Sequence, residues 1–334
     1  MKRKLAFLLM LCFGWSFFLN GCGGTLPKTD DRLQVVCTIF PEYDWARQLT
    51  QGVDNVDLTL LVKNGTDLHS YQPSVRDIAM IARADVFCYV GGVSDTWVND
   101  VLDTTENRTA QLVSMAEAAD ADEEVLAEGM QAEHEHEHEH EHDHHDDESD
   151  SHEEPPELDE HVWLSLRRAA LACTAMKEAL CKADPAHEDI YNQNCTDYLQ
   201  KLQELDSDFT EMTSQAARDT IVVADRFPFR YLAEDYGLTY YAAFPGCSAE
   251  TEASFETIVF LSEKVESLHL PCVLVTEGSN SSLAKTILEN ASSDGKILTL
   301  QSLQAVSQKE IDTGVTYLSK MQENYDVLKQ ALNS

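Results

Sequence analysis

From Pro185 to Arg218 apolar residues recur at Ile190, Tyr191, Cys195, Tyr198, Leu199, Leu202, Leu205, Phe209 and Met212, a helical spacing with no glycine or proline inside it. Thirty residues of helix span about 45 Å, at least the diameter of a small domain, so the segments on either side must be organised along one rod. Those segments carry one pattern twice. Before the rod, β-rich runs at 33–37 (LQVVC), 56–62 (VDLTLLV) and 85–90 (DVFCYV) alternate with helical patterns at 43–51 and 74–83. After it, 220–223 (TIVV), 239–243 (TYYAA), 272–276 (CVLVT) and 296–300 (KILTL) alternate with helices near 229–236, 255–268, 282–290 and 316–332. Such alternation builds parallel sheets with helices on their faces. The expected fold is therefore α/β, with two lobes, each a parallel sheet flanked by helices, joined by one long bridging helix over 185–218. A shorter helix over 169–181 precedes the rod, and TIFPEY at 38–43 is echoed by DRFPFRY at 225–231.

The first residues place the body outside the cytoplasm. Lys2, Arg3 and Lys4 precede an apolar run from Leu5 to Leu19, shorter than the roughly 20 residues of a spanning helix, and the run ends at Leu19-Asn20-Gly21-Cys22. Residues 1–21 are read as a signal peptide, Cys22 as the lipidated residue, and 22–32 as anchor and linker. The body would then sit on the extracytoplasmic face of the cell membrane, anchored by lipid; an uncleaved anchor and an ordinary secreted chain are the alternatives. The formal net charge of −35 at pH 7 repels phosphate backbones, which excludes nucleic acid as a partner and favours cations. Cys37, Cys88, Cys173, Cys181, Cys195, Cys247 and Cys272 make an odd number in the body, so at least one lies outside any intrachain pair. Cys181 and Cys195 could face each other across a helix-turn-helix, the other reading being buried apolar thiols.

Between the halves, residues 119–158 read as a disordered loop rich in His, Glu and Asp. His134, His136, His138, His140, His142, His144 and His145 alternate with carboxylates there. Neutral imidazole is the commonest metal ligand, and the tract is too polar to bury itself, so it reads as an auxiliary metal scavenger suited to Zn, Cu or Ni. A solvated acidic linker is the plainer reading. His134-Glu135-His136-Glu137-His138 formally matches H-E-x-x-H, but that motif needs both histidines on one ordered helix face. Two isolated histidines are better placed for a defined site. His69 lies in TDLHSYQPS between a strand and a helix, where α/β proteins put ligand loops, and His161 lies in DEHVWL directly after the acidic tract.

The chain resembles the metal-receptor lipoproteins of zinc and manganese ABC importers, substrate-binding proteins whose lobes are bridged by one rigid helix. The resemblance rests on VVCTIFPEYDWARQLTQG, GTDLHSYQPSVRDIAMIARAD, DEHVWLS, FRYLAEDYGL and the long helix, and covers nearly the whole body; the His-rich insertion matches the zinc-type members. It implies that His69 and His161 are the first two metal ligands. Counting from Tyr231 puts the third on Arg226, whose guanidinium cannot coordinate a cation, which leaves the adjacent Asp225. The fourth falls on Ser281, with Glu277 the nearest carboxylate. The first lobe would comprise 33–118 with 159–184, and the second 219–334.

The resemblance further implies a Zn2+ receptor, with Mn2+ second, that acts as a monomer and delivers its ion to an ABC permease with its ATPase. Zinc accepts two imidazoles with carboxylate oxygens or water, and precedes manganese in affinity order. A surface zinc buffer without a transport partner is a third reading. An exported zinc hydrolase is a fourth, but no ordered H-E-x-x-H, nucleophile elbow or paired-acid motif accompanies the histidines.

Overall fold

The computed structural model describes residues 32–63, 65–105, 109–130, 158–248 and 252–334. Expectations for the leader, for Cys22 and for the histidines between 134 and 145 therefore lie outside the described residues. The first sheet contains β1 (Leu33–Cys37), β2 (Val56–Leu60), β3 (Val86–Tyr89) and β4 (Gln111–Ser114), all parallel, in the order β2-β1-β3-β4. The second contains β5 (Thr220–Phe227), β6 (Thr239–Pro245), β7 (Cys272–Thr276) and β8 (Lys296–Leu300), in the corresponding order β6-β5-β7-β8. Strands of such sheets are covered on both faces, which is why Val35, Val36 and Cys37 in one and Cys272 to Val275 in the other are buried without alternation.

In the first lobe α1 (Phe40–Leu49), α2 (Val75–Ile81), α3 (Trp97–Thr104) and α4 (Met115–Ala118) follow their strands. The second lobe has α7 (Arg230–Asp235), α8 (Phe255–Ser267), α9 (Ser282–Asn290), α10 (Gln308–Asp312) and α11 (Tyr317–Asn333). Between them come α5 (Leu166–Ala183) and the long α6 (Glu188–Ser214). The bridging helix is thus shorter than 185–218. Pro185 opens a 3-10 turn, Pro185–His187, and the helix gives way at Gln215 before β5. Its buried stripe, from Tyr191 through Tyr198 and Leu205 to Met212, packs on α1, α5 and α11. No described helix is long and apolar enough to cross a membrane.

Two details bear on these readings. The start of the 119–158 segment is tied to the body: Glu123 and Leu158 pair, the Asp122 N–H donates to Tyr231 Oη (2.9 Å), and Arg230 bonds the Glu123 carbonyl. Of the two readings of Cys181 and Cys195, the structure has free thiols, with Cys195 buried and its Sγ 4.0 Å from the Cys173 carbonyl of α5.

The lobes share one apolar core. Trp45 meets Tyr317 edge-on at 5.1 Å, the Tyr317 N–H donates to Asp44 Oδ2 (2.7 Å), and its hydroxyl donates to the Trp163 carbonyl (2.6 Å). Trp163 in turn donates its indole N–H to the Ser302 carbonyl (2.8 Å).

Burial beneath the first sheet also sets a pH dependence. Glu42 is fully buried, its Oε2 accepting from Thr38 N (2.7 Å), Thr38 Oγ1 (3.0 Å) and Ile39 N (3.2 Å), while Oε1 has no partner. Desolvation, with the nearby Asp95 charge added, outweighs those bonds and raises its pKa from 4.5 to about 8. Between those values the folded state keeps a proton that the unfolded chain has lost, so stability is greatest at the acid end and falls as pH rises through about 8. The expected loss is on the order of 4 kcal/mol. Urea unfolding from pH 5 to 9 should show a falling midpoint, with a shallower slope in Glu42→Gln; an unchanged slope in the variant would remove Glu42 as the cause.

Candidate metal centre

His69 and Ser94 lie in turns beyond the carboxyl ends of strands, where parallel α/β sheets bind ligands, and the segment carrying His161 is bonded to the second of these turns through Glu160. After β2, Asp67 caps the turn Leu68–Ser70 by accepting from His69 N (3.0 Å), which fixes the backbone that carries the imidazole. After β3, the turn Val93–Asp95 brings Ser94 Oγ to 2.8 Å from His69 Nδ1. Ser94 also grips Glu160, donating from Oγ to Oε1 and from N to Oε2 (3.0 Å). Gly92 makes room for that carboxylate, since a Cβ there would lie 2.2 Å from Glu160 Oε2. His161 is fully buried, with Nδ1 at 2.8 Å from Asp159 Oδ1, and the Tyr231 hydroxyl of α7 donates to the Asp159 carbonyl (2.7 Å). The segment after His161 is held as well. Ser165 caps α5 and donates to Asp235 Oδ2 at 2.6 Å.

This network assigns the tautomers. The Ser94 hydroxyl proton goes to Glu160, so Ser94 Oγ accepts from His69 Nδ1–H; the Asp159 carboxylate likewise accepts from His161 Nδ1–H. In the neutral rings both Nε2 atoms therefore carry the lone pair, and both are buried without a hydrogen-bond partner. The rings face each other with centroids 5.5 Å apart. Burial, then the neighbouring His161, push the His69 pKa down to about 4, so its imidazole is neutral near pH 7. Burial also opposes protonation of His161, but the bond and charge of Asp159 outweigh it and hold that pKa above the usual value. An imidazole oriented by a carboxylate is the arrangement found behind metal-bound histidines.

The structure brings His69 and His161 together but leaves Asp225 and Glu277 out of their cluster. Sequence reasoning ends the strand at Val223, whereas β5 continues to Phe227 with a shift of register between Val223 and Arg226. Asp225 Oδ2 consequently accepts from Thr276 Oγ1 (2.8 Å) on β7, and Oδ1 from Arg226 N (2.9 Å). Both Glu277 oxygens accept from Ser302, through N and Oγ at 2.6 Å each. Arg226 pairs across the lobes with Asp67 Oδ2 (3.0 Å); half-burial of Asp67 works against ionisation, but Arg226 holds its carboxyl below the usual range. These second-lobe residues line a cleft of about 390 Å³ that reaches Asp67 and Gly246.

Among the described residues, the donors within 4.8 Å of one another belong to His69, Glu160, His161 and Cys247. Glu160 and Cys247 are the residues that sequence reasoning missed. Glu160 adjoins His161 in the DEHVWL segment, and Cys247 follows the β6 run within AAFPGCS, so a donor-type residue beyond a strand end was the available signal.

Paired parallel sheets on one long helix, with a histidine-centred donor cluster where their strand ends meet, define a two-lobed binding protein of the bridged-by-one-helix class. The zinc-uptake complex component A, periplasmic, profile matches residues 35–331, and the chain belongs to this ZnuA family. The zinc-binding lipoprotein AdcA of Streptococcus pneumoniae is 31% identical over 330 residues, covering 99% of this chain and 61% of the relative. The high-affinity zinc uptake system protein ZnuA of Bacillus subtilis is 30% identical over 331 residues, covering 98% and 96%. The chain thus spans 61% of the length of the streptococcal relatives it matches. Among solved structures, the Zn(II)-bound ZnuA-like domain of S. pneumoniae AdcA superposes with a TM-score of 0.68 at 28% identity, covering 91% of this chain and all of that one. The B. subtilis metal-dependent lipoprotein YcdH gives 0.71 at 25%, covering 90% and 100%.

Proposed function

We propose that this chain is the extracytoplasmic substrate-binding lipoprotein of an ABC importer, capturing Zn2+ between its lobes and delivering it to the permease and its ATPase. The observation that carries the reading is the pair of buried Nε2 atoms, each left without a partner while its Nδ1 is held by Ser94 or Asp159. A buried nitrogen lone pair facing nothing costs free energy unless a ligand fills the gap, and a divalent cation is the partner two such imidazoles share. The names of the AdcA and ZnuA relatives agree with zinc as cargo, and the AdcA name with a lipid anchor, here on Cys22.

His69 and His161 are the nitrogen ligands in this reading. Asp225 and Glu277 line the cleft that reaches Asp67 and Gly246. The tract from His134 to His145 raises the local concentration of metal at the mouth by repeated weak capture. Manganese stays second, because it prefers more oxygen donors than this cluster provides.

Metal content measured by mass spectrometry on the purified protein and on a variant lacking residues 131–157 tests this. One tightly held zinc should survive the deletion, with uptake slowed only at low zinc. Loss of that zinc with the tract would make the tract the binding element and remove the receptor reading.

A further inference from the structure

Among the described residues, the second lobe contributes a single residue to the donor cluster, and it is a thiol. Cys247 lies in the turn after β6, two residues beyond Pro245. That turn is seated directly on His161: a Cβ at Gly246 would lie 2.8 Å from His161 Cε1, 3.0 Å from Nδ1 and 3.2 Å from the Phe227 carbonyl. Only glycine lets the turn approach so closely, and the approach sets Cys247 beside the buried ring. The donors lie within 4.8 Å of one another, whereas tetrahedral zinc, with bonds of about 2.0–2.3 Å, places neighbouring donors roughly 3.3–3.7 Å apart. Closure of about 1 Å would complete the shell. The fully buried His161, with Nε2 unpartnered, points independently to a ligand at the same place.

Glu160 is a weaker rival for the remaining position, because both its oxygens already accept from Ser94. Arg226, Asp225 and Glu277 are each committed elsewhere.

We propose that Cys247 is the second lobe's metal ligand, bound as thiolate, so that the cleft takes a cation of zinc's softness through two imidazoles and one sulfur and discriminates against manganese. The inference rests on the zinc-receptor reading of the same cleft. On binding, the Cys247 S–H bond breaks, the S–Zn bond forms, and one proton leaves to solvent, so the charge of the site rises by one, less than the two charges of the ion it gains. Thiolate is a soft donor that zinc and cobalt accept readily and manganese poorly.

Cobalt(II) is the probe, because a cobalt–thiolate bond has a near-ultraviolet charge-transfer absorption that imidazole and carboxylate do not give. The first equivalent of Co2+ added to the full chain should produce this band, Zn2+ should displace it, and Cys247→Ser should abolish it. Zinc Kd in that variant should rise by at least about 100-fold, above the roughly 10- to 100-fold typical of outer-shell partners, with Mn2+ binding moved far less. Because a variant can fail to fold, wild-type protein should also be alkylated with iodoacetamide, with zinc protecting Cys247. A bound cobalt with no such band, a band that persists in Cys247→Ser, or Cys247 alkylated equally with and without zinc would overturn the proposal while leaving the zinc reading intact. Failure of the wild-type protein to bind zinc would instead remove the reading beneath it.

Discussion

His161→Ala is expected to lower zinc affinity by more than about 100-fold, and the metal-free protein should also unfold more easily, since Asp159 loses its buried partner. The imidazole is fully buried and its Nδ1 is already bonded to Asp159, so it enters the site in one orientation and binding need not order it. Asp159→Asn should give a smaller loss, roughly 10- to 100-fold, because the amide still caps the turn but no longer fixes the tautomer. Competitive titration against a chelator dye measures both. Equal effects from the two variants would mean that His161 acts through the turn's shape rather than as a donor.

Trp163→Ala should be the most destabilising single substitution at the junction of the lobes. The indole is fully buried, donates to the Ser302 carbonyl at 2.8 Å, and lies 5.1 Å from the His161 ring. Truncating a core tryptophan costs about 3–5 kcal/mol, and the orphaned carbonyl adds roughly 1 more. For a chain of this size the melting temperature should fall by roughly 10 °C in calorimetry. A fall below about 2 °C would show that the lobes are held together elsewhere, with the Trp45–Tyr317 contact the next to test.

The architecture was largely legible because its signals are local. LQVVC at 33–37, CVLVT at 272–276 and KILTL at 296–300 are strands at those residues, and the glycine-free stripe did make the long helix. Gln111–Ser114 escaped notice because QLVS is short and half exposed, and α3 because its eight residues make barely two turns, too few to establish a helical period. The histidines could be found because each stands in a segment of recognisable spacing. The second lobe's contribution could not, since it depends on tertiary contacts: where β5 ends, which hydroxyls claim Asp225 and Glu277, and how Gly246 fits against a ring from the other lobe.

The two sheets have the same strand order, and one consequence concerns the origin of the site. His69 follows the second strand of its half and Cys247 the second strand of the other, so the two turns are counterparts. A duplicated sheet whose copies meet at their strand ends brings such counterpart loops together in pairs. Each copy then needs to acquire only part of a coordination shell, and neither half has to bind anything before the two are joined.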